Sequence, residues 1–106
     1  MAVWVTFFRS KAFAHIANQG VGDIVAREKI TVPGTTARAV EYGEMVAVTN
    51  GEGSEILVAF GKAPDAATLT ATVNSGAGFA IPSALCYPFF APNIGDKVNV
   101  KLGSAV

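Results

Sequence analysis

The fold is decided by residues 54–64, which read SEILVAFGKAP. The centre of this stretch, 56–60, is a run of apolar side chains between two turn signals, NGEG at 50–53 and GKAP at 61–64. A run this short and this apolar is typical of a strand that is covered on both faces. Gly61 permits a bend and Pro64 cannot donate to a ladder, so the strand ends there. We therefore predict that 56–60 form the central strand of the domain.

The composition limits the kinds of partner. The chain has 106 residues, 51% of them hydrophobic and only 15% charged, and its eight basic and eight acidic residues cancel. Roughly 25% charged residues is usual for a soluble domain, so this chain has little electrostatic defence against association. A nucleic-acid-binding protein normally shows a basic excess. We therefore predict one domain, 1–106, that binds no nucleic acid.

A long uncharged stretch raises the question of a membrane. No charged residue lies between Asp65 and Asp96. Several proline and glycine residues interrupt this stretch, which leaves no continuous apolar helix of about 20 residues. The N-terminus lacks a basic start followed by an apolar core, so we expect no signal peptide and no membrane partner. The single cysteine, Cys86, cannot form an internal disulfide, which fits a reducing compartment or a protein that does not rely on disulfide bridges.

The remaining chain is divided into short strand-like segments by turn signals. About seven to nine strands at this spacing predict an all-β, single-domain β-sandwich or jelly roll with antiparallel strands. Residues 1–12 are expected to form an extended N-terminal arm or an edge strand, and 12–17 stay open between a strand and a helical turn. Besides 56–60, the predicted strands and short apolar pieces are 2–8, 25–32, 35–42, 45–49, 68–73, 79–81, 84–87, 89–90 and 97–102.

Two alternating segments and one turn add detail to this scheme. The segment 68–73 alternates hydroxyl and apolar side chains, so Leu69, Ala71 and Val73 are predicted to face inward. The segment 97–102 alternates as well, and its apolar residues Val98, Val100 and Leu102 are predicted to face inward. The Asn-Gly pair in 50–53 favours the positive φ angles of a tight turn, so 45–60 is predicted to be a hairpin.

Residues able to perform chemistry are few. His15 is the sole histidine, and a half-buried ring is the interpretation we favour over a general base or metal ligand. A lone cysteine such as Cys86 is by default a small buried hydrophobe, and a Cys86–His15 nucleophilic pair has no supporting context. A zinc site needs three or four converging ligands. We predict no catalytic residue, no cofactor, no metal and no enzymatic activity.

A group of four glutamates lies between 41 and 55 without a basic residue among them. Together they could bind a cation, but their spacing lacks the alternating Asp and Asn ligands of a calcium loop. A solvated rim is the interpretation we favour. The four are Glu41, Glu44, Glu52 and Glu55.

The aromatic side chains point to association. Neighbours such as Phe7 and Phe8, or Phe89 and Phe90, cannot both face the same side of a regular strand. An exposed phenylalanine forgoes about 1.5–3 kcal/mol of burial unless a partner covers it. The alternative is that bulges or proline bends turn both rings inward. The predicted interface residues are Trp4, Phe7, Phe8, Phe79, Tyr87, Phe89 and Phe90.

The order of several short motifs resembles that of small virion proteins of tailed bacteriophages. These motifs are ILVAFG at 56–61, Ala63-Pro64, Ala67-Thr68, an apolar stretch, and GDKVNV at 95–100. The resemblance covers about 44–102. It implies a β-sandwich or jelly-roll module without catalysis, which decorates or cements the capsid or lies at the head–tail region.

The functional expectation follows from this resemblance and from the apolar composition. We predict a structural virion protein that binds capsomers and stabilises the phage head. Its partners would be the major capsid protein or other virion proteins and further copies of itself, as a dimer or trimer, after assembly in the host cytoplasm. The alternative is a carbohydrate- or partner-binding sandwich of a head–tail or tail assembly, with Tyr42, Trp4 and Tyr87 as stacking platforms.

Overall fold

The structure, a computed structural model, describes residues 2–10, 22–70, 76–90 and 92–105. These residues form eight strands and one short 3₁₀ turn, with no α-helix among them. The elements are β1 Val3–Ser10, β2 Gly22–Ile30, β3 Gly34–Thr35, β4 Glu44–Asn50, β5 Ile56–Gly61, β6 Phe79–Ile81, β7 Cys86–Phe90, β8 Lys97–Leu102 and the 3₁₀ turn Gly103–Ala105.

The strands form two antiparallel sheets that pack face to face. Sheet A has the strand order β2-β1-β4-β7, and sheet B has the order β3-β8-β5-β6. Alternate residues of the strands face the space between the sheets, as the two-residue period of a strand requires. The all-β sandwich that the sequence predicts is therefore confirmed. The core between the sheets contains Val3, Val5, Phe7, Ile30, Val40, Val46, Val48, Ile56, Val58, Ile81, Val98 and Val100.

Strand β5 is central to sheet B, as predicted. It is hydrogen-bonded to β8 on one side and to β6 on the other. Its side chains are buried on both faces, because Val58 faces the main core while Leu57 and Ala59 belong to a second, smaller cluster on the other face. The continuous apolar run is thus explained by burial on both faces.

The N-terminal residues form an interior strand, which corrects the prediction of an arm or edge strand. Strand β1 lies between β2 and β4 and is paired with both along most of its length. Val3, Val5 and Phe7 are fully buried. Because alternate residues of β1 supply so much of the core, the strand is placed where both of its edges are paired.

The predicted hairpin at 45–60 is wrong, because β4 belongs to sheet A and β5 to sheet B. Asn50 accounts for the change of sheet. Its buried amide nitrogen donates to the carbonyl oxygens of Ser54, Ile81 and Pro82 at 3.0–3.1 Å, and its Oδ1 accepts from the backbone N–H of Glu52 at 2.8 Å. These bonds direct the chain across the sandwich. The neighbouring Gly51 is needed because a Cβ there would lie 2.4 Å from a backbone oxygen of residue 2.

The segment after β5 covers a sheet face where a strand was predicted at 68–73. Residues 68–70 are not in a strand, and Leu69, which was predicted to face inward, is 74% exposed. The loop is held instead by Ala66, whose N–H donates to the Asn99 side chain at 2.9 Å and whose methyl group is buried in the second cluster. Burial of this cluster outweighs the local alternation. Residues 71–73 lie outside the described residues.

One further strand prediction needs correction. The segment 35–42 contributes only its first residue to β3, and Thr36 and Val40 continue along β8 through backbone bonds to Val98 and Asp96. The predicted strand 97–102 is confirmed as β8, with Val98 and Val100 buried. Leu102 is paired with the buried Ile56 on the same face and is 36% exposed because it lies at the end of the strand. Residues 12–17, left open between strand and helix, lie outside the described residues.

Candidate interaction surface

Three of the seven predicted interface residues meet at one edge of the sandwich. Phe79 on β6 and Phe90 on β7 have ring centroids 4.9 Å apart, and Phe60 of β5 lies 6.1 Å from Phe79 and 5.2 Å from Phe90. Tyr87 contacts Phe90 at 6.2 Å in an edge-on arrangement. Strands β6 and β7 are the outermost strands of their sheets on this side. We call these four residues the aromatic edge.

The aromatic edge is only partly shielded from water. Phe60, Phe79 and Phe90 are half-buried and pack against the core, whereas Tyr87 is 38% exposed and Leu85, just before β7, is 44% exposed. Offset and edge-on ring pairs contribute about 0.5–1.5 kcal/mol each beyond burial, so the rings stabilise the closure of the two sheets. The side chain of Phe89 lies outside the described residues.

Phe7 and Phe8 are not at the surface, which corrects their prediction as interface residues. They are 0% and 1% exposed. Phe7 is part of the core and lies under the Arg38 guanidinium, whose carbon is 4.8 Å from the ring centroid. The pairing of β1 with β2 shifts register between Phe7 and Phe8, but the extra residue there, Val25, belongs to β2. Phe7 and Phe8 pair with successive residues of β4, so β1 keeps its alternation. Phe7 faces the core, and Phe8 is buried on the other face of sheet A.

Trp4 lies apart from the aromatic edge. It is 36% exposed, and the Arg27 guanidinium carbon lies 4.7 Å from its ring centroid. Trp4 is paired with Thr49, whereas Tyr87 is paired with the buried Val48, the preceding residue of β4. Since successive residues of a strand point to opposite faces, Trp4 and Tyr87 lie on opposite faces of sheet A.

Arg38 and Glu44 form a buried ion pair that the sequence did not predict. Arg38 donates to both carboxylate oxygens of Glu44, at 2.5 and 2.7 Å, and the Glu44 side chain has no exposure to solvent. These hydrogen bonds lower the pKa of Glu44 and raise the pKa of Arg38. Glu44 therefore does not belong to a solvated rim. The signal that could have shown this is its place in the inward alternation with Val46, Val48 and Asn50.

A second acidic residue orders the same region. The Glu28 carboxylate accepts hydrogen bonds from the backbone N–H groups of Ala37 and Arg38, at 3.1 and 3.3 Å. The N–H of Glu41 donates to Glu44 at 3.0 Å. The carboxylates thus hold the irregular segment after β3 in place. No group of three or more potential metal ligands occurs in the part of the chain that the structure describes.

Cys86 is exposed, which corrects the prediction of a small buried hydrophobe. It is paired with Thr49 of β4 at the edge of sheet A, and the Thr49 hydroxyl donates to its sulfur at 3.2 Å. Its position on the outermost strand explains the exposure. His15 lies outside the described residues, so the Cys86–His15 pair remains untested.

The resemblance to small virion proteins of tailed bacteriophages stays a prediction, because comparison with known proteins does not test it. No family model, no characterised protein and no solved structure matches this chain. Among the described residues, no helix has the length and apolar character needed to cross a bilayer.

Proposed function

We propose that this chain is a structural virion protein of a tailed bacteriophage, a decoration or cement protein that binds capsomers and stabilises the head. Its partners are the major capsid protein or other virion proteins and further copies of itself, as a dimer or trimer, within the virion. The proposal is supported by the resemblance over about 44–102 and by the small β-sandwich. It involves no catalysis.

The observation that carries the proposal is the partly exposed aromatic edge. Leu85 and Tyr87 are exposed beside three packed phenylalanines, in a stretch without a charged residue between Asp65 and Asp96. Exposed apolar patches of this kind mark interaction sites, and aromatic residues are enriched in them. Covering such side chains with a capsid surface would contribute about 25 cal/mol for each Å² of apolar area removed from water.

Strand pairing offers a second contribution to capsid binding. Strand β7 is the outermost strand of sheet A and β6 that of sheet B, so each has an edge to which an extended partner segment can be added. Proline at position 88 cannot donate a backbone hydrogen bond, which limits such pairing along β7. Because β1 is an interior strand, it offers no free edge for such pairing.

Co-sedimentation with capsids assembled from the major capsid protein of the same phage tests the proposal. The variant Leu85→Ser with Tyr87→Ser removes the exposed part of the aromatic edge, and we expect its capsid affinity to fall by at least about tenfold, as loss of roughly 1.4 kcal/mol requires. The matched control is Ile24→Ser with Tyr42→Ser, since both residues are exposed and Ile24 lies on β2, at the opposite end of sheet A from β7. Absence of capsid binding by the unaltered protein would refute the proposal.

The carbohydrate-binding alternative receives less support. Trp4 and Tyr87 lie on opposite faces of sheet A, and Tyr42 precedes β4 whereas Trp4 is paired near its other end. Three stacking residues in these places do not form one platform. Specific binding on a glycan array, lost on Trp4→Ala, would reverse this preference.

A further inference from the structure

The outer face of sheet A carries a small basic surface centred on Trp4. Lys29 is paired directly with Trp4 across β1 and β2, and Arg27 is stacked over the indole ring with its guanidinium carbon 4.7 Å from the centroid. Both cations are exposed, and within the described ranges neither forms an ion pair. The neighbouring outward positions of this sheet are Thr6, Ala47 and Thr49, none of which is charged. We call Trp4, Arg27 and Lys29 the basic face.

An acidic turn follows β4. Glu55 is exposed and Glu52 is half-buried, and in the described part of the chain neither carboxylate takes part in an ion pair. The turn has a defined backbone, because the N–H of Glu52 donates to Asn50 at 2.8 Å and its carbonyl oxygen accepts from Ser83 at 2.7 Å. We call Glu52 and Glu55 the acidic turn. Its charge is opposite to that of the basic face.

The two surfaces lie at the same end of the molecule. Lys29, Trp4 and Thr49 are neighbours across three strands of sheet A, and the acidic turn begins just after Asn50. With about 4.8 Å between strands, Lys29 and the start of the turn are separated by roughly 10 Å. Two surfaces of opposite charge placed side by side are self-complementary about a two-fold axis, since each can face the other on a second copy.

We propose that a second copy of this chain binds here, with the basic face of each protomer against the acidic turn of its partner. Trp4 and Arg27 are of the residue types that dominate binding energy at the centres of interfaces. The balance of eight acidic and eight basic residues fits mutual pairing, while two cations are few for an acidic polymer such as nucleic acid. This inference rests on the self-association within the proposed function and does not depend on capsid binding.

Charge reversal tests the pairing in the full chain by sedimentation velocity across a dilution series. Arg27→Glu with Lys29→Glu makes both surfaces acidic, and Glu52→Lys with Glu55→Lys makes both basic. We expect the dimer dissociation constant of each variant alone to be at least about 100-fold higher than that of the unaltered protein, because like charges then face each other. An equimolar mixture of the two is expected to form a heterodimer, since each basic surface again meets an acidic one. Lys97→Glu, on sheet B, is the control for an unrelated charge change.

Three results would overturn the inference, provided that circular dichroism shows both variants folded. The first is that the unaltered protein is still monomeric at about 100 µM, which would mean an affinity too weak for a specific dimer. The second is that dimers persist in both variants. The third is that the mixture of the two variants stays monomeric. Binding of single-stranded DNA or heparin that is lost in the Arg27→Glu, Lys29→Glu variant of a monomeric protein would assign the basic face to an acidic polymer instead. Capsid binding is measured separately with the Leu85→Ser, Tyr87→Ser variant, so failure of one proposal does not obscure the other.

Discussion

Replacing Arg38 with methionine leaves the carboxylate of Glu44 buried without its cation. The Glu44 side chain has no exposure, and its hydrogen bonds come from two Arg38 nitrogens and from the backbone N–H of Glu41. Methionine keeps an apolar side chain over Phe7, so the change mainly removes charge and donors. Removing one partner of a buried ion pair costs about 3–5 kcal/mol. This is a large part of the roughly 5–15 kcal/mol by which a domain is stable.

The reverse change is expected to cost less. In Glu44→Gln the cation remains, but Arg38 is 20% exposed and can gain water on its open side. The loss is then closer to that of hydrogen bonds to a charged group, about 1.5–3 kcal/mol. The difference in unfolding free energy between the two variants therefore separates the cost of burying an unpaired carboxylate from the loss of attraction between Arg38 and Glu44.

Acidification is expected to change the contribution of Glu44 to stability in opposite directions in the unaltered protein and in Arg38→Met. In the unaltered protein, the hydrogen bonds from Arg38 hold the pKa of Glu44 below its ordinary value of 4.5. The stabilisation is therefore complete above that value and is lost as pH falls through the lowered pKa. In Arg38→Met, burial without a cation raises the pKa of Glu44, so protonation relieves the buried charge. The free-energy cost of Arg38→Met should therefore shrink between pH 7 and about 4.5.

Urea unfolding followed by tryptophan fluorescence at both pH values measures these differences. Lys97→Met is the control, since that cation lies on sheet B and forms no ion pair within the described residues, so its loss should change stability by no more than about 0.5 kcal/mol. A smaller loss of stability in Arg38→Met than in Glu44→Gln, or a loss that grows on acidification, would contradict the burial of an unpaired carboxylate.

Three further predictions concern the packing of the sandwich. Asn50→Ala removes the donor to the carbonyl oxygens of Ser54, Ile81 and Pro82, and thermal unfolding should show that the free energy of unfolding falls by about 2–3 kcal/mol. An unchanged midpoint would contradict the role given to Asn50. Gly78→Ala would place a Cβ 1.9 Å from the Ala66 carbonyl oxygen, so we expect faster amide exchange at Ala66, whereas an equal rate would show that the loop adapts freely. Phe90→Ala removes the ring that contacts three other aromatic residues and should cost about 3–4 kcal/mol in urea unfolding, more than Tyr87→Ala.

The candidate surface could be predicted only in part. Phe79, Tyr87 and Phe90 were chosen because they are aromatic and lie in an uncharged stretch, and the structure brings them together. Phe60 completes the group but was assigned to the core strand. Its contact with Phe79 joins neighbouring strands of sheet B and its contact with Phe90 crosses to sheet A, and neither pairing is visible in the sequence. Phe7 and Phe8 were assigned to the interface because adjacent side chains of a strand face opposite sides, but β1 is buried on both sides at this point, which the sequence does not show.

What the sequence by itself determined is the set of strands with a clear local pattern. The apolar run of β5, the alternation of β4 and β8 and the aromatic and β-branched residues of β1 predict strands because the side-chain period of a strand is a local property. The sandwich class follows from the number of such strands and their spacing.

Only the tertiary structure decided which sheet each strand joins and which polar groups are buried. Asn50 directs the chain from sheet A to sheet B through bonds to residues about 30 positions away, and the segment around Ala66 covers sheet B because Asn99 accepts its N–H. The Arg38–Glu44 pair likewise closes across an irregular segment that carries no periodic signal. The bonds of Asn50 and Ala66 join distant parts of the chain, and the Arg38–Glu44 pair depends on burial that no local pattern shows. The free energy of these contacts outweighs the weak local preferences that a sequence pattern reports.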